Sequence, residues 1–197
     1  VRRPEGRASV DALGFDTRTR RLYLTNAVGR LEPTAVAKAI GPKTASSLEP
    51  YRFLEPPLAS VNGWVQTGPG RNPADLRFVI DGGALRFSKF NSRDIDGEIL
   101  WRGQTLTLTN IVAEFYGGEL RGNLVSRFND DRSADLAFHL DTKQTELTDF
   151  MSDILGKKSG LKGRLDGSLD ITANSKDWES WNGSSSVTLK DGYLWEL

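Results

Sequence analysis

Apolar and polar residues alternate with period two along much of this chain. In the segment from Asp75 to Asp81, Leu76, Phe78 and Ile80 alternate with charged residues and one valine. Such alternation is typical of a β-strand that has one face in an apolar environment and the other in water. Further segments repeat the pattern, with their apolar positions at Leu106 and Leu108, at Leu120 and Leu124, at Leu136, Phe138 and Leu140, and at Leu161, Leu165, Leu169 and Ile171.

Residues that favour tight turns separate many of these segments. Glycine, asparagine and aspartate adopt positive φ or bond their own backbone at little cost. Strand follows strand from Val61 to Asp141 without an intervening helix, which favours an antiparallel meander over parallel βαβ units. We predict a mainly β protein with a curled, repeat-built antiparallel sheet, either an open groove or sandwich-like. The predicted turns are Gly68-Pro69-Gly70, Asp81-Gly82-Gly83, Asp96-Gly97, Asn129-Asp130-Asp131, Asn182-Gly183 and Asp191-Gly192.

Two short segments depart from period two and favour helices. The first runs from Pro33 to Ile40, because proline suits the first helical position and Gly41-Pro42 then ends the helix. The second runs from Leu147 to Leu155 and is followed by Gly156, a residue suited to a helix C-terminus. Both helices are predicted to cap a β-surface. The second has an apolar stripe for this purpose, formed by Phe150, Met151, Ile154 and Leu155.

A weak internal repeat links the two halves of the chain. The segment from Leu22 to Val28 matches the segment from Leu106 to Val112 at five of seven positions, with an offset of 84 residues. A short helix follows each copy, so a duplicated supersecondary unit is favoured. Prolines and polar residues cluster between Ser46 and Pro57. We therefore divide the chain into residues 1–57, a strand and helix segment of a preceding β-repeat, and a β-domain at 58–197.

Composition excludes several classes of function. Lys plus Arg and Asp plus Glu both number 26, so the chain lacks the basic excess of a nucleic-acid-binding protein. The absence of cysteine excludes thiolate catalysis, disulfides and cysteine-ligated metals. No apolar run approaches the length of a membrane-spanning helix. The chain begins at Val1 rather than Met, and we expect a piece of a longer protein whose anchor or targeting segment lies elsewhere.

Candidate catalytic residues are few. The single histidine, His139, is predicted on the solvent face of its strand. One histidine cannot build a metal cluster, and without a Ser/Asp constellation nearby in the sequence a catalytic triad has little support. The closest acidic pairs, at 94–96 and 130–131, fall in predicted turns, where carboxylates bond the backbone. Gly117-Gly118 lacks the Lys-Ser/Thr ending of a phosphate loop. We predict no catalytic residue, no metal and no cofactor, and a carboxylate-dependent hydrolase has little support.

Five tryptophans offer a different chemistry. They can pack in a core or at sheet edges, or they can present a flat platform on which sugars stack. Trp178 and Trp181 are spaced to lie near one another. A carbohydrate-binding or adhesive surface β-domain is therefore the alternative function. The five are Trp64, Trp101, Trp178, Trp181 and Trp195.

One order of motifs resembles a known family. The run from Gln104 to Gly122 contains a Leu-x-Leu-x-Asn strand, an aromatic followed by Gly-Gly, a short strand and a further glycine. The parts that follow it are a strand at Ala134 to Leu140, the helix at Leu147 to Leu155, a glycine-punctuated strand at Leu161 to Ile171, and a Leu-x-Asp-Gly hairpin at Val187 to Leu194. From about Val61 to Leu197, this order resembles the C-terminal region of the AsmA-like family.

The resemblance implies a periplasmic location in a Gram-negative-type bacterium, within a protein anchored in the inner membrane. Members of this family are related to TamB-like and bridge-like lipid transfer proteins, whose strands form an open groove with an apolar floor. The family is associated with phospholipid transport and outer-membrane integrity and has no catalytic residues. The implied partner is a phospholipid or another acyl-chain lipid, and no nucleic acid is implied.

A long sheet with one apolar face must close, be capped or accept apolar ligands. An acyl chain in such a groove gains about 0.8 kcal/mol per buried methylene. The same side chains would also build an ordinary sandwich core, so both interpretations stay open. The candidates for a lipid-binding floor are Leu76, Phe78, Ile80, Leu106, Leu108, Phe115, Leu120, Leu124, Leu136, Phe138, Leu140, Leu165, Leu169 and Ile171.

Overall fold

The structure is a computed structural model that describes residues 2–3, 6–40, 51–68, 73–87, 89–131 and 133–193. It is mainly β, with 73% strand and two short helices, which confirms the predicted fold class. The strands are β1 (Arg2–Arg3), β2 (Gly6–Ser9), β3 (Ala12–Asp16), β4 (Arg21–Leu31), β5 (Tyr51–Glu55), β6 (Leu58–Gln66), β7 (Ala74–Asp81), β8 (Ala84–Phe87), β9 (Phe90–Arg102), β10 (Thr105–Phe115), β11 (Gly118–Phe128), β12 (Ala134–Glu146), β13 (Lys162–Asn174) and β14 (Asp177–Tyr193). The helices are α1 (Pro33–Ile40) and α2 (Leu147–Leu155).

All fourteen strands belong to one antiparallel sheet. Its order is β1-β2-β4-β6-β7-β9-β10-β11-β12-β13-β14, with β3 beside β4 and with β8 joining β5 to β9. The sheet is open and does not close on itself, so an open sheet replaces the sandwich-like alternative. Hydrogen bonding continues from β4 to β6, on either side of the proposed division at residue 57. That division stays a prediction.

Both copies of the sequence repeat contain a β-bulge at the same position. Asn26 in β4 and Asn110 in β10 both have positive φ, 47° and 54°, and the strand register shifts at each. Each backbone N–H donates to a side-chain oxygen on the next strand, of Asn62 at 2.8 Å and of Asn123 at 3.1 Å. A bulge of this kind bends its strand and increases its twist. The matched residues therefore mark equivalent points of curvature.

The turn predictions are partly confirmed. Gly82 and Gly83 both have positive φ between β7 and β8, and Asn129-Asp130-Asp131 lies between β11 and β12. The turns predicted at Asp96-Gly97, Asn182-Gly183 and Asp191-Gly192 are wrong, because these residues lie inside β9 and β14. The reason is close packing: a Cβ at Gly97 would overlap Ile111, and one at Gly183 would overlap the Asp170 carbonyl. Pro69-Gly70 lies outside the described residues.

The helices begin and end at the predicted residues. Pro33 is the first residue of α1, and both carboxylate oxygens of Glu32 accept hydrogen bonds from the backbone N–H groups of Thr34 and Ala35. The predicted stop at Gly41-Pro42 lies outside the described residues. After α2, Gly156 takes the left-handed conformation with φ 66°.

The buried core is small for a chain of this length. A cluster of Val65, Ala74 and Leu76 lies on β6 and β7, and half-buried neighbours such as Trp101 pack against it. The chain exposes 12836 Å² of surface. A compact monomer of this mass exposes only about 9,300 Å². In the described part of the chain the sheet is a single open layer and neither of its faces is covered along its full extent, which agrees with the large exposed area.

Candidate functional site: the apolar face of the sheet

All fourteen residues predicted for the floor lie on one face of the sheet. Residues paired directly across antiparallel strands point to the same face, and so do residues two apart within a strand. Leu76, for example, pairs with Trp101, which pairs with Leu106 in turn. We call this surface the apolar face. The registers that join the fourteen run through β7, β9, β10, β11, β12 and β13.

One row of large apolar side chains on this face crosses seven strands. Its successive members are direct cross-strand partners, from β6 to β13. Six strand spacings make this row about 29 Å long. That is close to the hydrocarbon thickness of a bilayer, about 30 Å. We call it the central row. It consists of Val61, Phe78, Ile99, Leu108, Leu124, Phe138 and Ile171.

The bulge at Asn110 keeps the two ends of β10 on this face. Strict alternation would place Leu108 and Phe115 on opposite faces, because their positions differ by seven, an odd number. The register shift between Leu108 and Ile111 absorbs one residue, so Ile111 and Phe115 return to the apolar face. Ile111 pairs with Gly122, where a Cβ would overlap the Leu140 side chain. The glycine therefore leaves room for large side chains on both neighbouring strands.

Some residues of this face were missed by the sequence analysis. Val61, Ile99 and Trp101 lie on it in β6 and β9, where alternation is short and interrupted by glycine. Ile99 and Trp101 are two residues apart, and this spacing could have predicted that both lie on one face of β9. On the outer strand β3, Leu13 and Phe15 also point to this face, because they pair with Leu24 and Leu22.

The apolar face is only half covered. Of the fourteen candidates, Leu76 is buried and the other thirteen are half-buried, as are all seven members of the central row. In a sandwich these side chains would be buried under a second sheet. Exposure increases toward both edges, where Leu13 is 63% exposed and Val187 is 65% exposed. Such a contiguous apolar surface is a feature of interaction and ligand-binding sites.

Helix α2 covers one end of the apolar face. The Phe150 ring stacks on Phe90 of β9, with centroids 5.9 Å apart, and meets the edge of Phe115 at 5.8 Å. Leu147 at the start of the helix is buried. The helix also contacts β12 and β13, so it bridges several strands. These contacts show that α2 caps part of the β-surface, as predicted.

A polar contact fastens α2 to the hairpin between β10 and β11. Tyr116 and Gly117 form the two-residue turn, both with positive φ, as a type I′ turn requires. The Tyr116 hydroxyl donates to Asp153 Oδ2 at 2.5 Å, and Asn91 Nδ2 donates to the same oxygen at 2.8 Å. Burial and the hydrogen bond to Asp153 raise the pKa of Tyr116 to about 12. The tyrosine therefore stays a neutral donor.

The opposite face is mostly polar, with a few apolar residues such as Val79 and Val125, and we call it the polar face. Arg77 and Glu98 form a bidentate pair across β7 and β9, with one N–O distance of 2.7 Å. His139 lies half-exposed on this face, as predicted, between Asp170 at 2.7 Å and Asp141 at 2.9 Å. The hydrogen bond to Asp170, followed by that to Asp141, raises the pKa of His139 above its ordinary value. This arrangement gives the polar face a charged surface.

Two of the five tryptophans lie side by side, as their spacing predicted. The rings of Trp178 and Trp181 on β14 lie 4.9 Å apart, and both side chains are exposed. Trp101 instead packs against the small core, and Trp64 lies under the Arg21 guanidinium at 4.0 Å. Trp195 lies outside the described residues.

Within the described residues, no group of three or more His, Cys, Asp or Glu side chains is placed to hold a metal ion. No helix in the described part of the chain is long and apolar enough to cross a bilayer. The acidic pair at 130–131 lies in a turn as predicted, whereas Asp94 and Asp96 lie inside β9. Comparison with protein-family models, with curated proteins and with solved structures gave no match to this chain.

Proposed function

We propose that this chain is a non-enzymatic module of an AsmA-like envelope protein, and that its apolar face holds the acyl chains of phospholipids during transport between membranes. The observation that carries the proposal is the central row, whose seven apolar side chains cross the sheet without a polar member. A single row of this length accommodates the acyl chains of two leaflets end to end. The proposal includes a periplasmic location and an inner-membrane anchor outside this chain.

The weak binding of an acyl chain to an uncovered apolar face suits transport better than tight storage. Full burial of an acyl methylene is worth about 0.8 kcal/mol, and contact on one side is worth roughly half of that. Because the floor contacts are apolar and similar along the row, neighbouring positions of the chain have similar free energies. A lipid held in this way can shift along the face without crossing a large barrier.

The polar face and the capped end fit the same proposal. The ion pairs of the polar face keep that side of the sheet in water, which leaves the apolar face for the lipid. Helix α2 closes one end of the apolar face, near Phe90 and Phe115. A headgroup would then project from the uncovered part of the sheet.

The experiment is mass spectrometry of lipids that copurify with the chain from a Gram-negative host without detergent. We expect phospholipid in about stoichiometric amount with the unaltered chain. Leu108→Asp combined with Phe138→Asp should remove it, because both positions lie on the central row. The matched control, Thr107→Asp with Ala137→Asp, changes the neighbouring positions that point to the polar face and should retain lipid. A well-folded chain without lipid would contradict the proposal.

A further inference from the structure

The Trp178–Trp181 pair stands at the edge of the apolar face. Trp181 points to the same face as Gly183, which pairs with Ile171 of the central row. With Leu169 and Ile171 it lines a shallow surface depression, whose rim also includes Ser184 and Ser185. The pair therefore borders the apolar face directly.

Trp178 presents a nearly free aromatic surface. It is 79% exposed, whereas Trp181 beneath it is 40% exposed. The two rings are tilted by 34° with their centroids 4.9 Å apart, so Trp181 supports one side of Trp178 and leaves the other side open to solvent. Large aromatic rings exposed to this degree are unusual outside binding surfaces.

The groups around the pair are oxygen-rich. Asp177 and Glu179 flank Trp178 in the chain, and the Asp177 carboxylate turns back to accept a hydrogen bond from the Glu179 N–H at 3.0 Å. The Glu179 side chain is exposed, as are the Ser184 and Ser185 side chains. Carboxylate and hydroxyl oxygens beside an aromatic ring suit a neutral molecule with many hydroxyl groups.

We propose that the Trp178–Trp181 pair is a saccharide-stacking site, and that the apolar face accepts a glycolipid as well as phospholipids. The acyl chain lies on the apolar face, and the sugar ring of its headgroup stacks on the open side of Trp178. The C–H groups of a pyranose face carry partial positive charge, which the negative face of indole attracts. The inference rests on the proposed function, because the acyl chain of the glycolipid would lie on the apolar face that holds the acyl chains of phospholipids.

The test compares two uncharged amphiphiles that have the same dodecyl tail. One is dodecyl-β-maltoside, and the other is octaethylene glycol monododecyl ether, which has no sugar. Binding to the whole chain is measured by equilibrium dialysis below micelle-forming concentrations. Trp178→Leu keeps an apolar side chain but removes the ring, and Trp178→Phe restores a ring. Because Trp178 is largely exposed, neither substitution should disturb folding.

We expect the leucine variant to weaken maltoside binding about tenfold, the equivalent of about 1.4 kcal/mol of lost stacking. Binding of the ether should be unchanged, and the phenylalanine variant should recover most of the maltoside affinity. Equal losses for both amphiphiles, or no loss for either, would overturn the glycolipid inference and leave acyl-chain binding intact. Free maltose binding as tightly as the maltoside would also overturn it, in favour of a site for soluble glycans. Failure of the unaltered chain to bind either amphiphile would instead overturn the proposed function.

Discussion

A single charge at Leu108 should interrupt the central row for every acyl chain that can lie along it. One leaflet's acyl chain is about 15 Å long. With strands about 4.8 Å apart, such a chain covers about four consecutive strands. Leu108 is the fourth of seven members of the row, so each set of four consecutive members includes it. An acyl chain of that length that stays on the seven members therefore cannot avoid this position.

The magnitude follows from the lost contact. Leu108→Asp leaves three uninterrupted members on either side, which shortens the contact by one strand spacing, about 5 Å. That length corresponds to about four methylenes, each worth about 0.4 kcal/mol when one side is covered. The loss is about 1.6 kcal/mol, or more than tenfold in affinity. Desolvation of the new carboxylate adds to this loss.

The assay is displacement of a fluorescent fatty acid, with Thr107→Asp as the matched control. Thr107 pairs with Leu100 and Val125 on the polar face, so its substitution adds the same charge to the other side of the same strand. Circular dichroism should show an intact sheet in both variants. Equal affinities for the two variants would refute the assignment of acyl chains to the apolar face.

Three further predictions concern the polar face, α2 and the backbone. His139 is the only histidine, so its imidazole C–H signals are readily assigned by NMR and should titrate with a midpoint above about pH 6.5, and a midpoint at or below that value would contradict the two hydrogen bonds. The stability from protonated His139 should be present below pH 6.5 and lost as pH rises through the raised pKa. Tyr116→Phe should cost about 1–2 kcal/mol in urea unfolding, because Asp153 loses its hydroxyl donor, and an unchanged midpoint would contradict that contact. Gly63→Ala should cost more than about 2 kcal/mol, because φ is 120° and a Cβ would overlap the Asp75 carbonyl, whereas Gly14→Ala has room and should be nearly neutral in the same measurement.

Alternation in the sequence grouped the floor candidates within each strand, and strand pairing in the structure puts all fourteen on one face. Alternation decides the face within a strand, and cross-strand pairing carries the decision from one strand to the next. Leu108 and Phe115 were both assigned to the floor, although strict alternation would separate them. The positive φ of Asn110, which reconciles the two, is a backbone property that depends on the Asn123 side chain of the next strand.

Other features required three-dimensional information. Gly97 and Gly183 suggested turns, yet each lies inside a strand. Glycine is needed at both positions because atoms of a neighbouring strand leave no room for a Cβ. A local pattern does not distinguish these two uses of glycine. The choice between an open sheet and a sandwich likewise depends on whether a second layer exists, and the same alternation of apolar and polar residues occurs in both.

The measurement that tests acyl-chain binding most directly is photo-crosslinking from the central row. A photoreactive phenylalanine analogue would replace Phe138 in one variant and Ala137 in another, and each would be irradiated with phospholipid vesicles. These neighbouring residues of β12 point to opposite faces. We expect mass spectrometry to find phospholipid attached at position 138 and little or none at position 137. Equal attachment at both positions, or none at 138 in a folded chain, would contradict a lipid-binding apolar face.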